Sequence, residues 1–145
     1  FCKRIHQGID FIEGKAEELP FKNNTFDIIT NVESSGYYFN EFINEVHRTL
    51  VPGGLFLCTD KFFNNRIDEV IFNFIKNNFE LVLNTDITAN VRSACAINKY
   101  STLSRSRLIA DIFMLNEERY YANRKNQNVH PEAAFRVLIF KKLNN

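Results

Sequence analysis

An amphipathic stretch beginning at Phe39 runs directly into Pro52-Gly53-Gly54 and then into the continuous apolar segment Leu55 to Thr59. Phe39, Phe42, Ile43, Val46 and Leu50 follow the i, i+3, i+4, i+7 spacing of one helix face, while Asn40, Glu41, Asn44 and Glu45 fall on the other. Pro52 cannot continue that helix, because it has no N–H and its ring clashes with the preceding turn. The unbroken apolar strand after it is the kind buried on both faces, as in parallel sheets. A helix leading straight into such a strand is part of a crossover connection, and this predicts an α/β fold.

The alternation extends in both directions. Ile9 to Ile12 is a short apolar run ending near Gly14, and it predicts a brief first strand followed by a loop in which Pro20 blocks a helix. Asn23 and Asn24 predict a turn before a strand over Phe26 to Val32. Downstream, Ile67, Val70, Ile71, Phe74 and Ile75 repeat the helical period, and Phe79, Leu81 and Leu83 repeat the strand period of two. Asp86 or Thr88 is placed to cap a helix over Ala89 to Ile97, and Leu108, Ile109, Ile112 and Phe113 mark another. Asn123 to Asn128 reads as a loop, and Phe135 to Phe140 as a closing strand. No repeat, linker or low-complexity tail divides the chain.

Composition narrows the partners. With 18 basic and 17 acidic side chains the net charge is +1, and no long basic run is available to neutralise a phosphate backbone. Cys2, Cys58 and Cys95 are odd in number and far apart, in neither a metal nor a disulfide pattern, so a reducing, cytoplasmic compartment is expected. His6, His47 and His130 are scattered without metal-ligand spacing. No apolar run approaches the roughly 20 residues needed to span a bilayer. Lys15, Lys22 and Lys61 lack the glycine spacing of a phosphate-binding loop.

Three short segments now stand in order: Gly14 to Phe21 (GKAEELPF), Phe26 to Glu33 (FDIITNVE) and Leu50 to Phe56 (LVPGGLF). The series resembles the second half of the class I S-adenosylmethionine-dependent methyltransferases that act on small molecules, and Asp86 to Val91 (DITANV) resembles a stretch of their quinone, sterol and lipid branches. The resemblance implies a Rossmann-like sheet in the order 3-2-1-4-5-7-6 with its last strand antiparallel. This chain would supply strands three to seven as a single partial domain over residues 1–145. No Gly-x-Gly-x-Gly loop precedes the motifs and the chain opens on Phe1, so a fragment is expected. The first strand would then lack its neighbour, and residues 1–20 are expected to pack poorly or to pair elsewhere.

Such a sheet binds ligands at the carboxyl ends of its strands, and this directs attention to Gly14 to Glu17, Asn31 to Tyr38 and Asp60 to Phe63 as loops that converge. Methyl transfer from a sulfonium needs alignment more than a nucleophile. By resemblance, Gly14, Lys15, Ala16 and Glu17 form the adenine loop of the S-adenosylmethionine cofactor. Lys15 there replaces the usual acidic side chain and cannot accept the adenine amine's hydrogen bond, whereas Ala16 keeps its backbone N–H and Glu17 is a nearby substitute. Asn31 and Val32 are implied near the cofactor, with Ser34, Ser35, Tyr37 and Tyr38 on the side of a small, lipophilic acceptor. Glu33 is the candidate catalytic residue: relatives with the same NVESS stretch carry His where this chain has Gly36, and if that His is a base in them, Glu33 or a water serves here, or the reaction needs no base. Tyr37 and Tyr38 as packing residues, and Glu33 as a helix-capping carboxylate, are the structural alternatives. The alternative for the whole chain is a noncatalytic methyltransferase-like remnant or a partner subunit.

Overall fold

The computed structural model describes residues 6, 8–34, 38–91, 93–94 and 133–144. In chain order they form β1 (Phe26–Val32), α1 (Asn40–Thr49), β2 (Leu50–Phe63), α2 (Asn64–Lys76), β3 (Phe79–Asp86) and β4 (Ala133–Lys142). One sheet results, ordered β1-β2-β4-β3. β1 and β2 are parallel, and β4 runs antiparallel to both β2 and β3. This is the order 4-5-7-6 with an antiparallel last strand that the resemblance implied. The helix anticipated over 108–113, the loop over 123–128, and residues 92 and 95–97 of the helix anticipated over 89–97 lie outside the described residues; residues 88–91 and 93–94 are helical, with the Thr88 N–H held by the Asp86 carboxylate at 2.8 Å.

Strand formation at residues 9–12 did not follow from the apolar run there. Residues 9–14 carry no strand, and Ile9 and Ile12 are each 58% exposed. A strand exists only by pairing, and among the described residues nothing pairs with this one. The following loop is nevertheless well held. The Arg48 guanidinium donates to the carbonyls of Leu19 and Phe21 at 3.0 and 2.7 Å, and to Asn23 Oδ1 at 3.0 Å. Glu45, paired with Arg48 at 2.7 Å, accepts the Leu19 N–H. The N–H groups of Asn24 and Thr25 in turn satisfy the last carbonyls of α1, at Arg48 and Thr49.

The Pro-Gly-Gly turn differs from the simple helix stop expected of it. α1 passes into β2 at Leu50, and Pro52, Gly53 and Gly54 lie inside the strand span. Pairing jumps from Phe26↔Leu50 to Ile28↔Leu55, so Asp27 alone faces residues 51–54. The extra residues form a bulge, where a proline costs no ladder hydrogen bond and Gly53 adopts φ +79°.

The core lies on one face of the sheet. Phe56, Cys58, Phe62, Leu138, Phe140 and Phe79 are buried there with Phe42, Ile43 and Val46 of α1 and Val70 and Phe74 of α2. Phe74 stacks on both Phe56 and Phe140, with centroids 5.1 and 4.2 Å apart. On the opposite face Ile28 and Val32 remain 57% and 67% exposed among the described residues. Leu83 also faces outward, because a register shift after Leu81 breaks the period of two.

At the lower edge of this core the buried Lys142 ammonium donates to the Leu50 carbonyl at 2.8 Å and to Asn24 Oδ1 at 3.1 Å. His47 sits edge-on to Phe79, its Nε2 buried without a partner. Burial, and then the Lys142 charge, hold its pKa below the ordinary value. Unfolded His47 takes up a proton near pH 6.5, whereas the folded form resists until lower pH, so stability contributed by neutral His47 falls as pH drops through that window. Thermal unfolding followed from about pH 7.5 down to about pH 5.5 is expected to show a decline that His47→Leu flattens; an unchanged slope in the variant would refute this assignment.

Candidate active site

The carboxyl ends of the parallel strands β1 and β2 bring five polar side chains together: Asn31, Glu33, Ser34, Tyr38 and Asp60. β1 ends in a turn made by Glu33 itself, at φ +51°, whose N–H donates to the Thr59 carbonyl of β2 at 2.9 Å. The left-handed region is unfavourable for a non-glycine residue by about 1–3 kcal/mol, and such strain clusters at functional sites. It is tolerated here because the pairing to β2 over-determines the turn.

Asp60 is the centre of the cluster. It is fully buried, yet no cation pairs with it among the described residues. Its Oδ1 accepts the Lys61 N–H at 2.7 Å, its Oδ2 accepts the Tyr38 hydroxyl at 3.0 Å, and the Ser34 backbone also bonds it. Burial raises its pKa despite these donors. Tyr38 packs its ring among Phe42, Phe62 and Phe74 while its oxygen reaches the polar group, so its titration is pushed strongly upward by burial. Asn31 Nδ2 donates to that oxygen at 3.4 Å, and Ser34 Oγ donates to Asn31 Oδ1. The Cys58 thiol beside Tyr38 is pushed up to about 12 by burial, which leaves it a neutral thiol rather than a nucleophile. Glu33 is exposed, and its pKa is raised by partial desolvation and by Asp60 against the opposing pull of Lys61.

Of the sequence candidates, Asn31, Glu33, Ser34 and Tyr38 therefore meet, and the loop beginning at Asp60 meets them. Val32 is exposed on the opposite face of the sheet, paired with Thr59. Gly14, Lys15, Ala16 and Glu17 form a tight turn with a Lys15↔Glu18 bridge; Ala16 packs against the core while Lys15 and Glu17 are exposed. Ser35 and Tyr37 lie outside the described residues. The buried carboxyl of Asp60 was not singled out from the sequence, where the acid closing the apolar run LFLCTD was the available signal.

Comparison with known proteins places this arrangement. Residues 2–58 match the family described as a methyltransferase domain. That segment of the chain is similar to methyltransferase domains. A "Fatty-acid O-methyltransferase" of Mycolicibacterium smegmatis is 50% identical over 64 residues, which are 41% of this chain and 23% of that protein. A "Probable phthiotriol/phenolphthiotriol dimycocerosates methyltransferase 2" of Mycobacterium ulcerans is 34% identical over 125 residues, 83% of this chain and 48% of that protein. The chain thus spans between 23% and 48% of the length of these two relatives. Among solved structures, the [4+2]-cyclase SpnF aligns with a TM-score of 0.73 at 18% identity, over 99% of this chain and 60% of that one. Geranyl diphosphate C-methyltransferase from Streptomyces coelicolor A3(2) aligns with a TM-score of 0.67 at 14% identity, over 90% and 52%. The fold that the chain shares with these structures is a Rossmann-like α/β fold. No helix among its described residues is long and apolar enough to cross a membrane.

Proposed function

We propose that the protein carrying this chain transfers a methyl group from S-adenosylmethionine to a small, lipophilic acceptor. The observation that carries the reading is the convergence of Asn31, Glu33, Ser34 and Asp60 at the carboxyl ends of parallel strands, where open α/β sheets take their ligands, in a chain matched to the methyltransferase domain. The names of the fatty-acid and phthiotriol relatives support the lipophilic acceptor.

In this reading Asn31 and the backbone of Val32, whose side chain faces the other side of the sheet, border the cofactor, and Gly14, Lys15, Ala16 and Glu17 border its adenine. Ala16 supplies a backbone N–H there, and Glu17 a carboxylate in place of the acid that Lys15 displaces. Bound S-adenosylmethionine supplies the methyl group and the positive sulfur that makes it transferable. The chain's own residues hold the acceptor and receive its proton. Glu33 is the proton acceptor, standing exposed at the end of β1 beside Asp60, where partial desolvation and then Asp60 raise its pKa against the pull of Lys61. Ser34, Ser35, Tyr37 and Tyr38 line the acceptor side. The reaction is placed in the cytoplasm.

The full-length protein incubated with S-adenosylmethionine labelled in its methyl group is expected to pass the label into a lipid-soluble product. Glu33→Gln is expected to lower that rate by about 10²-fold or more, the usual scale for a general base, with cofactor binding retained. An unimpaired Glu33→Gln variant removes Glu33 from the mechanism, and absence of any labelled product across lipid acceptors favours the noncatalytic reading.

A further inference from the structure

We propose that Asp60 is the positioning residue of the acceptor site, and that through Tyr38 and Asn31 it makes Ser34 Oγ a hydrogen-bond acceptor for a neutral hydroxyl substrate. This inference rests on the methyltransferase reading above. The argument is one of direction. The Lys61 N–H and the Ser34 backbone already donate to Asp60 and favour its carboxylate form, which only accepts hydrogen bonds, so Tyr38, 3.0 Å from Asp60 Oδ2, donates its single hydrogen there. The Tyr38 oxygen then accepts from Asn31 Nδ2, which turns Asn31 Oδ1 toward Ser34. Ser34 spends its one hydroxyl hydrogen on Asn31, and only lone pairs remain on its oxygen. The backbone of Ser34 returns to Asp60 and closes the ring, so the loop and the chain of hydrogen bonds are fixed by the same carboxylate.

The group best matched to Ser34 Oγ is consequently an O–H donor. The site's charge selects further: Asp60 and Glu33 lie together with Lys61 as the opposing charge acting on Glu33. An acceptor carboxylate would meet like charge and offer no hydrogen, whereas an alcohol satisfies both conditions. In the transfer the hydroxyl oxygen attacks the methyl carbon. The carbon–sulfur bond breaks with its electron pair passing to sulfur, which becomes a neutral thioether. The hydroxyl hydrogen is held at Ser34 Oγ only before transfer, since Ser34 has its own hydrogen committed to Asn31 and cannot pass a proton on; as the oxygen–carbon bond forms, it turns to the Glu33 carboxylate, which is exposed and releases it to water. The product is a methyl ether.

The test uses the full-length protein with S-adenosylmethionine and two probes of equal chain length, hexadecanol and palmitate, beside calorimetric titration of S-adenosylhomocysteine. Hexadecanol is expected to be methylated at least about tenfold faster than palmitate. Asp60→Asn presents an amide that donates to Tyr38 and lets the chain reverse, so kcat for hexadecanol is expected to fall by about tenfold or more, the scale of one misplaced hydrogen bond, with KM little changed. S-adenosylhomocysteine affinity stays within about threefold, and Tm is little changed, because the amide keeps one oxygen to accept the Lys61 N–H and relieves the burial of a charge that no cation balances. Tyr38→Phe, which cuts the same chain, shows the same loss of kcat. Preference for palmitate, methylation of neither probe by a protein that binds S-adenosylhomocysteine, or an Asp60→Asn variant with full kcat overturns the proposal. So does a variant in which Tm and cofactor affinity fall together, the mark of a merely structural carboxylate. Failure of the unmodified protein to bind S-adenosylhomocysteine instead overturns the methyltransferase reading beneath it.

Discussion

Phe74→Ala is expected to cost about 3–5 kcal/mol, the range for deleting a buried aromatic side chain. Phe74 is fully buried, stacks between Phe56 of β2 and Phe140 of β4, and meets Phe79 of β3 and Tyr38 edge-on or tilted. It thus joins α2 to three strands at once. The surrounding rings cannot collapse into the space, since each is held by a separate strand, so the loss adds a cavity to the lost burial. Denaturant titration of the chain carrying these residues should show a lower midpoint at an unchanged slope. A loss below about 1 kcal/mol would mean that the aromatic stack is not the centre of the core. Because domains of this size retain only about 5–15 kcal/mol, the variant is also expected to be depleted in cells.

Gly54→Ala has the second large expected effect, about 1–3 kcal/mol for overpacking at a site that cannot relax. A Cβ added there lies 2.9 Å from the Val51 carbonyl oxygen and 3.0 Å from that of Asp27, both backbone atoms, and 3.1 Å from Leu50 Cδ2. Relief requires β1 to move away from β2 at the bulge, and that movement is carried along the parallel ladder to Asn31 and Val32. The same substitution should therefore weaken cofactor binding as well as stability. Gly53 provides the contrast: its neighbourhood is open, and a substitution there is opposed by its φ of +79° alone. Equal stability of Gly54→Ala and the unsubstituted chain would show that the bulge is more compliant than its contacts indicate.

Where the chemistry of the chain is local, the sequence was readable. Branched residues after the Asn23-Asn24 turn delimit β1 over Phe26–Val32, and the 3.6-residue period from Phe39 delimits α1 over Asn40–Thr49. The strand order followed from the resemblance, which supplied the long-range pairing that no single segment encodes. Ile9 to Ile12 failed as a strand because an apolar run is indifferent to whether a partner stands beside it. Leu83 failed as an inward residue because a one-residue bulge inverts every side chain that follows.

The site divides in the same way. Asn31, Glu33 and Ser34 could be named from a motif, because position relative to a strand end is written in the order of segments. The left-handed backbone of Glu33 and the burial of Asp60 could not, since both arise only when β1 and β2 pair side by side. An acid ending an apolar strand looks in sequence like the first residue of a solvated loop. What makes Asp60 unusual is the ring of donors from Ser34, Tyr38 and Lys61, contributed by segments up to 26 positions away, about as far as Leu19 lies from Glu45.

The central claim is that this chain is part of a protein that binds S-adenosylmethionine, and calorimetric titration of S-adenosylhomocysteine into the full-length protein tests it most directly. Saturable one-to-one binding, weakened by Gly54→Ala, is the result predicted. Absence of binding by a folded full-length protein would contradict the account and turn the methyltransferase-like domain into a noncatalytic scaffold.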